Sequence, residues 1–545
     1  MRRLSFIILL SLSPLLAMVQ VPHYDKSTDG FLVFHPIKTD SSGKIISWYS
    51  EDNAKAYDFV INATWRFWDT MRYDINGLPY YMNHQVWRPE NDPRGLGGDQ
   101  LAMALSSWQL LYMYNGNEKV KENMKFIADY YLTHSLSPAN SAWPNIPFPY
   151  NTFIYSGIYD GDMVIGKGYT QPDKAGSFGI ELVKLFKITN NINYLKAAID
   201  IANTLAKHTQ PGDGDHSPMP FKVNVQTGET GKLMSNLHDG SIAGISSYTT
   251  NWVGTLQLFG ELTKMKKGNV SAYTKSSKLI IDWMKKYPLK TDKWGPFFED
   301  VPGWSDTQIN AVTFALYMMD NRNMFPDWKT QVRQILDWVY HVLGNDQWKQ
   351  YGVQTVNEQT AYKTPGNSHT SRQAAAELKY TALTGDQRQK ENAIRQLNWC
   401  TYMVDVDGKN NYPRDEVWMT DGYGDYIRHF LRAMATDPSL APGNQDHILS
   451  STSIIYQADY APDMNKNTYP FIIGEELEKI KIYYKTYDKK STEIIRLRAK
   501  PLKILLEDKS LPEDKYATEG WSWEPFQQGG VLTIRHEYGI QVKVF

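Results

Sequence analysis

The sequence is short of cysteine, net charge and long hydrophobic runs, and each shortage excludes a class of protein. Of the 545 residues only Cys400 is a cysteine, which excludes an intrachain disulfide and a cysteine-rich metal site. The formal net charge is −1 at pH 7 and no dense basic run occurs, so we predict no nucleic-acid partner. No stretch beyond residue 20 reaches about 18 apolar residues, the length needed to span a bilayer. Phosphate-loop, nucleophile-elbow and dinucleotide motifs are also missing, and we predict neither a cofactor nor a metal site.

The N-terminus is typical of an exported protein. Arg2-Arg3 precede the apolar run from Leu4 to Ala17, so we interpret residues 1–20 as a signal peptide. Residues 21–50 are polar with scattered proline and glycine, which predicts an N-terminal arm on the surface. The chain has 35 Tyr, 20 Phe and 17 Trp. An exported, aromatic-rich chain without disulfides is typical of a periplasmic or secreted bacterial protein that acts on glycans.

Residues 51–445 are predicted to form six pairs of helices. One helix of each pair is apolar on nearly every face and should be buried, whereas its partner has a single apolar stripe. In the first such pair, the turn Asn115-Gly116 separates the two helices. The predicted helices cover residues 54–71, 99–114, 118–134, 173–188, 192–208, 248–262, 272–287, 306–319, 328–343, 371–383, 388–403 and 422–434.

This pattern predicts a mainly α fold, an (α/α)6 toroid of six inner and six outer helices followed by a small β domain. The turns from inner to outer helices are short, whereas six long loops lead into the inner helices and would meet on one face. A seven-pair ring and an open array of helical hairpins are the alternatives. β-Branched runs at 479–484, 493–497, 502–506, 531–534 and 540–544 predict a C-terminal antiparallel β-sandwich over residues 446–545.

Carboxylates mark the predicted loop face. Asp99, Asp162 and Asp306 lie before or at the start of different inner helices, and we predict these three as catalytic residues. Cleavage of a glycosidic bond needs one carboxylic acid to protonate the leaving oxygen and one carboxylate to activate water or attack carbon. Because an aspartate at a helix start is also a common N-cap, the prediction depends on their convergence on one face.

The same loops supply side chains suited to holding a charged sugar. Arg372 and His369 open the fifth inner helix, where an arginine can hold a sugar carboxylate through two hydrogen bonds. Aromatic side chains near the loops either stack on sugar rings or pack in the core. The predicted substrate-binding residues are Asp160, Tyr248, Asn251, Trp252, Trp304, His369, Arg372 and Tyr423.

Several short motifs carry a resemblance to known enzymes: Gly97-Gly98-Asp99-Gln100, Tyr159-Asp160-Gly161-Asp162, Asp173-Lys174-Ala175-Gly176 and turns such as Thr384-Gly385-Asp386. With these motifs, residues 54–440 resemble bacterial (α/α)6 glycan-degrading enzymes. The nearest resemblance is to the β-glucuronidases of glycoside hydrolase family 154, and the unsaturated glucuronyl hydrolases are more distant. The resemblance implies an exo-acting hydrolase that removes a terminal uronic acid from an oligosaccharide or polysaccharide. It also implies that Asp99 and Asp162 correspond to the aspartates at the barrel mouth.

Two other functions remain as hypotheses. A toroid followed by a β-sandwich also resembles several uronic-acid polysaccharide lyases, in which a Tyr or His removes the proton beside the carboxylate. The residues that would serve a lyase are Tyr248, Asn251, His238, His369 and Tyr423. The third hypothesis is a non-catalytic glycan-binding protein, which the carboxylates on the loops disfavour.

Overall fold

The computed structural model describes residues 35–73, 77–79, 81, 98–148, 168–234, 241–297, 303–410, 423–461 and 480–545. For residues 98–101, 234, 423 and 424 it describes the backbone alone. The predicted signal peptide and residues 21–34 of the predicted arm lie outside the described residues.

Twelve helices of twelve or more residues account for most of the described chain up to Thr436. The outer helices α3, α5 and α7 each begin after an asparagine whose side chain accepts a hydrogen bond from a backbone N–H of the first turn. The twelve are α1 (Asn53–Asp69), α2 (Gly98–Asn115), α3 (Glu118–His134), α4 (Pro172–Thr189), α5 (Ile192–His208), α6 (Val253–Lys264), α7 (Val270–Lys286), α8 (Gln308–Asp320), α9 (Trp328–Leu343), α10 (Asn367–Thr384), α11 (Lys390–Thr401) and α12 (Tyr423–Thr436).

The helices fall into two kinds, as the sequence predicts. α4 buries fifteen of its eighteen residues, whereas α5 buries seven of seventeen along one stripe. The six inner helices α2, α4, α6, α8, α10 and α12 contact one another in this order, and α12 contacts α2. Each inner helix therefore contacts two other inner helices.

Two glycines allow α4 and α6 to pack closely. A Cβ atom on Gly176 would lie 2.0 Å from Oγ1 of Thr255, and one on Gly254 would lie 2.6 Å from Cα of Ser177. Because no other residue fits at these distances, the contact fixes how the starts of the two helices lie beside each other. Both positions matter for the site, since α4 and α6 carry several of its polar side chains.

Most predicted helix boundaries agree with the structure. α3, α5 and α9 have the predicted bounds. α6 begins at Val253 instead of the predicted residue 248, and α10 begins at Asn367 instead of residue 371. The prediction for α6 failed because Thr249 and Thr250 donate hydroxyl hydrogen bonds to the carbonyls of Pro296 and Trp294, which hold this segment out of the helix.

The described part of the arm packs against α11. Trp48 donates its indole N–H to the carbonyl of Thr401 across 2.7 Å. Arg395 donates to the carbonyl of Ile45 across 2.9 Å, and Ile45 is fully buried. This segment therefore belongs to the helical domain and does not lie loosely on its surface.

The C-terminal region is built from two antiparallel sheets, in the strand orders β13-β14-β10-β7 and β12-β11-β15-β9-β8. Apolar side chains from both sheets form a single hydrophobic cluster. The prediction of a mainly helical domain followed by a separate β region is confirmed. The strands are β1 (Tyr169–Thr170), β2 (Val223–Asn224), β3 (Lys232–Met234), β4 (Ile242–Ile245), β5 (Gly344–Asn345) and β6 (Thr355–Val356) in the loops, then β7 (His447–Ser451), β8 (Ile455–Tyr460), β9 (Ile482–Thr486), β10 (Ser491–Leu497), β11 (Ile504–Leu506), β12 (Lys509–Ser510), β13 (Gly520–Pro525), β14 (Gly530–His536) and β15 (Gln541–Val544).

The last turn of α2 joins the two regions. Tyr460 of β8 donates its hydroxyl to the carbonyl of Met113, and His447 of β7 donates Nδ1–H to the carbonyl of Tyr114 across 2.9 Å. The rings of His447 and Tyr114 are stacked with centroids 3.8 Å apart. Met113 is itself a member of the hydrophobic cluster of the β region.

Candidate functional site

The candidate site lies where the inner helices begin. Five of the six loops that lead into these helices contain residues outside the described part of the chain. Several predicted site residues fall there, and the structure describes nothing of their side chains. They are Asp99, Asp160, Asp162, His238 and Tyr423.

A cavity of about 290 Å³, here called the ring cavity, lies between the inner helices. All six inner helices contribute to its wall, and Met103, Lys174, Asn251 and Ile309 line its loop end. Its charged lining consists of five cations and two carboxylates: Lys174, Lys184, Lys379, Arg428, Arg432, Glu181 and Asp320. The charges facing this cavity are therefore mainly positive.

Asp173 joins two of the helices at the loop end. Its side chain has no exposed surface, and Oδ2 accepts a hydrogen bond of 2.9 Å from the amide of Asn251. Nζ of Lys174 is 3.4 Å from the same oxygen, while Oδ1 accepts no hydrogen bond. Burial raises the pKa of Asp173, against the opposing charge of Lys174. Asp173 therefore supports two side chains that line the ring cavity, and it does so as a carboxyl that resists ionisation.

Phe297 also holds the side chain of Lys174 in place. Nζ donates to the carbonyl of Phe297 across 2.7 Å and lies 3.0 Å from the centroid of the Phe297 ring. A cation over an aromatic face is stabilised by the negative face of the ring. The position of this ammonium group at the cavity wall is thus fixed by the carboxyl group of Asp173, a carbonyl and an aromatic ring.

The predicted sugar-carboxylate ligand Arg372 is already paired. It is buried and forms an ion pair with Asp425 of α12, and NH1 donates to Oε1 of Gln308 across 2.6 Å. Oδ1 of Asp425 is also 3.0 Å from Nε2 of His429, whose pKa is lowered by burial and by the positive charge of Arg372. This network links α8, α10 and α12. In the described structure Arg372 therefore positions helices, and its role as a ligand of a sugar carboxylate stays a prediction.

His369 lies one turn before Arg372 and is also buried. Its Nε2 is 3.4 Å from Oε2 of Glu358, in the loop that leads into α10. Burial lowers the pKa of His369, and the neighbouring Glu358 opposes this change. The imidazole is therefore kept neutral near pH 7, the form that can accept a proton.

The carboxylate of Asp306 accepts hydrogen bonds from the loop before α8. Oδ1 accepts hydrogen bonds from the backbone N–H groups of Trp294 and Gly295 at 2.7 and 2.8 Å. Oδ2 accepts the indole N–H of Trp304 at 3.2 Å, and Asp306 does not line the ring cavity. Both carboxylate oxygens of Asp306 thus accept hydrogen bonds from loop groups, and its predicted catalytic role stays a prediction. Trp304 remains half-buried and accessible at the loop face.

Two aromatic residues predicted to bind substrate are part of the core. Trp252 is fully buried and donates its indole N–H to the carbonyl of Thr249. Tyr248 is buried, and its hydroxyl donates to the carbonyl of Lys293 across 2.7 Å. Both rings are buried in the described structure, and their role in binding substrate stays a prediction. Asn251, from the same segment, does line the ring cavity.

Sequence reasoning missed the cations of the ring cavity. Lys174, Lys184 and Arg428 lie in helices that read as buried on most faces, and a charge in such a helix needs a partner or a cavity. That signal could have identified them. Among the described residues, no group of three or more His, Cys, Asp or Glu side chains is arranged to hold a metal ion. No helix within the described ranges combines the length and apolar character needed to cross a bilayer.

No protein-family model matches the chain, and no curated protein matches it. Among solved structures, the chain is similar to cellobiose 2-epimerase from Spirochaeta thermophila DSM 6192, with a TM-score of 0.52 and 13% identity over 70% of this chain and 96% of that one. It is also similar to a sugar epimerase from a ruminal bacterium, with a TM-score of 0.50 and 14% identity over 70% and 98% of the two chains. A D-mannose isomerase gives a TM-score of 0.50 and 9% identity over 71% and 99%. At these identities the likeness concerns the fold alone, and the helical domain has the fold of the α/α toroid enzymes.

Proposed function

We propose that the chain is a glycan-processing enzyme, and specifically an exo-acting glycoside hydrolase that removes a terminal uronic acid. The observation that carries this proposal is the ring cavity, which opens among the inner-helix starts and is lined mainly by cations. A sugar carboxylate is attracted to such a wall, whereas a neutral sugar gains nothing from it.

The size of the cavity supports exo action. Its volume of about 290 Å³ is at the lower end of the range for ligand pockets, roughly 300 to 1,000 Å³. A cavity of this size suits one terminal sugar better than an internal segment of a polysaccharide. The half-buried Trp304 at the loop face would then offer a surface to the next sugar of the chain.

Asp99 and Asp162 are the proposed acid and base. Position 99 precedes positions 102, 103 and 106 by three, four and seven residues, which is the spacing of one helix face. Ala102, Met103 and Ser106 line the ring cavity, so the spacing supports Asp99 as a residue at the cavity mouth. One of the two carboxyl groups would protonate the leaving oxygen, and the other would activate water or attack carbon.

Asp173, Asn251 and Lys174 are proposed as the polar group that orients the sugar. Asn251 and Lys174 line the cavity, and Asp173 fixes both without reaching the cavity itself. Asp173 is thus a positioning residue. The ammonium of Lys174 is the described cation nearest the loop end, and it is proposed to attract the sugar carboxylate.

Sugar epimerisation or isomerisation is the second candidate, because of His369. Either reaction needs a base that removes a proton beside a carbonyl, and a neutral imidazole is suited to this at pH 7. The buried His369 is kept neutral beside Glu358 and Arg372. The contacts of Tyr248 do not favour the lyase hypothesis, because its hydroxyl donates a hydrogen bond to the carbonyl of Lys293. Of the other lyase candidates, His369 is the same buried imidazole and Asn251 lines the ring cavity, whereas His238 and Tyr423 have side chains outside the described residues.

The test is to incubate the purified chain with uronic-acid-bearing oligosaccharides and to identify the products by chromatography and ultraviolet absorbance. We expect a saturated free uronic acid, and we expect Asp99→Asn and Asp162→Asn each to lower its release about 100-fold or more. Asp306→Asn is the matched control and should retain release within about tenfold, because its carboxylate serves a loop. An unsaturated product would establish elimination instead, and conversion of a sugar without chain cleavage would establish epimerisation.

Export remains part of the proposal. The predicted signal peptide over residues 1–20 would send the protein to the periplasm or outside the cell. N-terminal sequencing of the protein recovered from the periplasm should find the first residues missing. Recovery of the intact N-terminus from the cytoplasm would contradict export and leave the proposed activity untouched.

A further inference from the structure

The far end of the ring cavity holds an arginine that pairs with no carboxylate among the described residues. Arg432 lies on α12, one turn after Arg428, and both line the ring cavity. Arg432 also lines a second cavity of about 710 Å³, here called the far cavity. The far cavity lies between the C-terminal ends of the inner helices and the segment 449–454 at β7 and β8. Arg432 is therefore part of the wall that the two cavities share.

Other cations at this junction have carboxylate partners. The pairs are Lys184 with Glu181, Lys187 with Glu261, Lys379 with Asp320 and Arg428 with Asp425. Within the described parts of the chain, no hydrogen bond or ion pair reaches Arg432. The carboxylates whose charges act on it are Asp320 and Glu181, which already bind the two lysines. Burial lowers the pKa of Arg432 to about 10, so its guanidinium is still charged at pH 7.

Arg432 is partly buried, and an unpaired guanidinium is costly there unless something satisfies its donors. The C-terminal ends of the inner helices carry partial negative charge, which favours a cation at this end of the ring. That effect accounts for the sign of the charge but supplies no hydrogen-bond acceptor. Two oxygens of one anion fit the forked donors of a guanidinium, and this pairing is among the strongest that arginine makes.

The opposite wall is polar, although the hydroxyls of Ser451 and Ser453 already donate to the carboxylates of Glu493 and Asp488. Ser450, Ser451, Thr452 and Ser453 line the far cavity from the β region. Five cations face this cavity, with three carboxylates: Lys184, Lys187, Lys264, Lys379, Arg432, Glu261, Asp320 and Asp488. Small hydroxyl side chains leave space and are compatible with a polar ligand. The β region thus closes a cationic space at the end of the ring that lies away from the loops.

We propose that the junction of the two cavities binds an oxyanion, with the guanidinium of Arg432 as its main ligand. Arg432 lies nine residues after the start of α12, or roughly 13 Å along the helix from the loop face. The site is thus separate from the loop-end residues Asp173 and Asn251. The oxyanion is a sulfate, phosphate or carboxylate group, either free or carried by an acidic saccharide. This inference does not depend on the proposed hydrolase activity.

Isothermal titration calorimetry on the full chain tests the site. Sodium sulfate, sodium phosphate and sodium glucuronate are titrated at fixed ionic strength set with sodium chloride, and glucose is the neutral reference. We expect at least one oxyanion to bind the unsubstituted protein, and Arg432→Gln to weaken that binding tenfold or more. Lys264→Gln is the matched control, since Lys264 is an exposed cation at the rim of the same cavity. It should leave the affinity within about twofold.

The titrations also separate the two sources of the anion. Tighter binding of sulfate or phosphate than of glucuronate identifies a free inorganic anion, and the reverse order identifies an acidic saccharide. Equal affinity in Arg432→Gln and the unsubstituted protein would overturn the proposal. The proposal would also be overturned if every oxyanion gave the same heats of titration as chloride.

A second measurement needs no substitution. Phenylglyoxal modifies arginines, and peptide mass spectrometry can follow Arg432 in the unsubstituted protein. Sulfate should slow the modification of Arg432 several-fold relative to chloride and leave the exposed Arg322 unchanged. Equal rates at Arg432 in both salts would contradict the site. Neither measurement follows sugar turnover, so a negative result here does not affect the proposed function.

Discussion

The amide of Asn251 donates a hydrogen bond of 2.9 Å to Oδ2 of Asp173, 78 positions earlier in the chain. This bond connects the segment before α6 with the first turn of α4. Because Asn251 also lines the ring cavity, a carboxyl with no exposed surface controls the position of a group at the candidate site.

Replacing Asp173 should separate stability from activity. The pKa of Asp173 is raised by burial, so the folded protein favours the protonated acid. Its contribution to stability is complete below pH 4, near its ordinary pKa of about 3.9, and is lost as the pH rises through the folded pKa. Asp173→Asn cannot ionise. It should be increasingly more stable than the unsubstituted protein as the pH rises from 4 to 8.

The same substitution should impair turnover, because an asparagine does not hold Asn251 and Lys174 as the carboxyl does. We expect sugar release to fall about tenfold to a thousandfold, mainly in kcat. Thermal unfolding and kinetics on the same preparation check both effects. A variant with full activity, or one that loses stability relative to the unsubstituted protein as the pH rises, would contradict this account.

A buried ion pair joins α9 to α10. Arg333 donates to both carboxylate oxygens of Glu377 at 2.8 Å, and Glu377 is 1% exposed. Glu377→Gln should cost roughly 3 kcal/mol of unfolding free energy, since it leaves a buried guanidinium with one remaining partner, Asp337. Glu513→Gln breaks an exposed pair with Lys500 and should cost less than about 1 kcal/mol. Denaturant titration of both variants measures the difference, and equal costs would disprove the distinction.

Two glycines after inner helices allow a paired test of the contact between the helical and β regions. Gly116 and Gly385 both have positive φ, at 66° and 80°. A Cβ on Gly116 would lie 2.4 Å from the carbonyl oxygen of Ala458 in β8, whereas one on Gly385 meets nothing within 4 Å. Gly385→Ala should cost roughly 1 kcal/mol from backbone strain alone. Gly116→Ala should cost at least about 1 to 3 kcal/mol more, because β8 must move.

Thermal unfolding of the two alanine variants gives the comparison directly. The clash at Gly116 is with a backbone atom, so a rotation of a side chain cannot relieve it. Equal losses of thermal stability in both variants would mean that β8 does not rest against the end of α2 in solution.

The β region contains a buried histidine that should make its stability depend on pH. Nδ1 of His536 donates to the carbonyl of Lys489, and Nε2 is 3.2 Å from Oε2 of Glu493. Burial lowers the pKa of His536, but the hydrogen bond and charge of Glu493 outweigh burial and raise it overall. The resulting stabilisation is complete below the ordinary pKa of about 6.5 and is lost as the pH rises through the folded pKa.

The prediction is a stability difference between the unsubstituted protein and His536→Gln that shrinks as the pH rises from 6 to 9. Unfolding followed by near-ultraviolet circular dichroism at several pH values measures it. Parallel curves for the two proteins would show that His536 does not change its protonation on unfolding.

Local sequence patterns predict a helix boundary correctly where interactions between neighbouring residues determine it. The bounds of α5 follow from an apolar stripe and the cap Asn191, both visible in the sequence. The start of α6 does not, because the hydroxyls of Thr249 and Thr250 are held by carbonyls more than 40 positions away. The same limit applies to the site, where the carboxylate of Asp306 is occupied by N–H groups of the loop at Trp294.

Charged residues in inner helices show the limit most clearly. Arg372 at the start of α10 is a reasonable ligand for a sugar carboxylate until its contact with Asp425, 53 positions later, is known. The sequence shows each charge but not its partner. Which cations face a cavity, and which are neutralised, depends on how the inner helices are rotated about their axes.

The helix that opens at the candidate site ends inside the hydrophobic cluster of the β region, to which Met113 belongs and against which Leu110 packs. The linker near residue 445 is therefore a boundary in the sequence but not in the packing. An exchange of C-terminal regions between related proteins would have to carry matching residues at the end of α2. The residues to match in such an exchange are those that surround Met113 and β8.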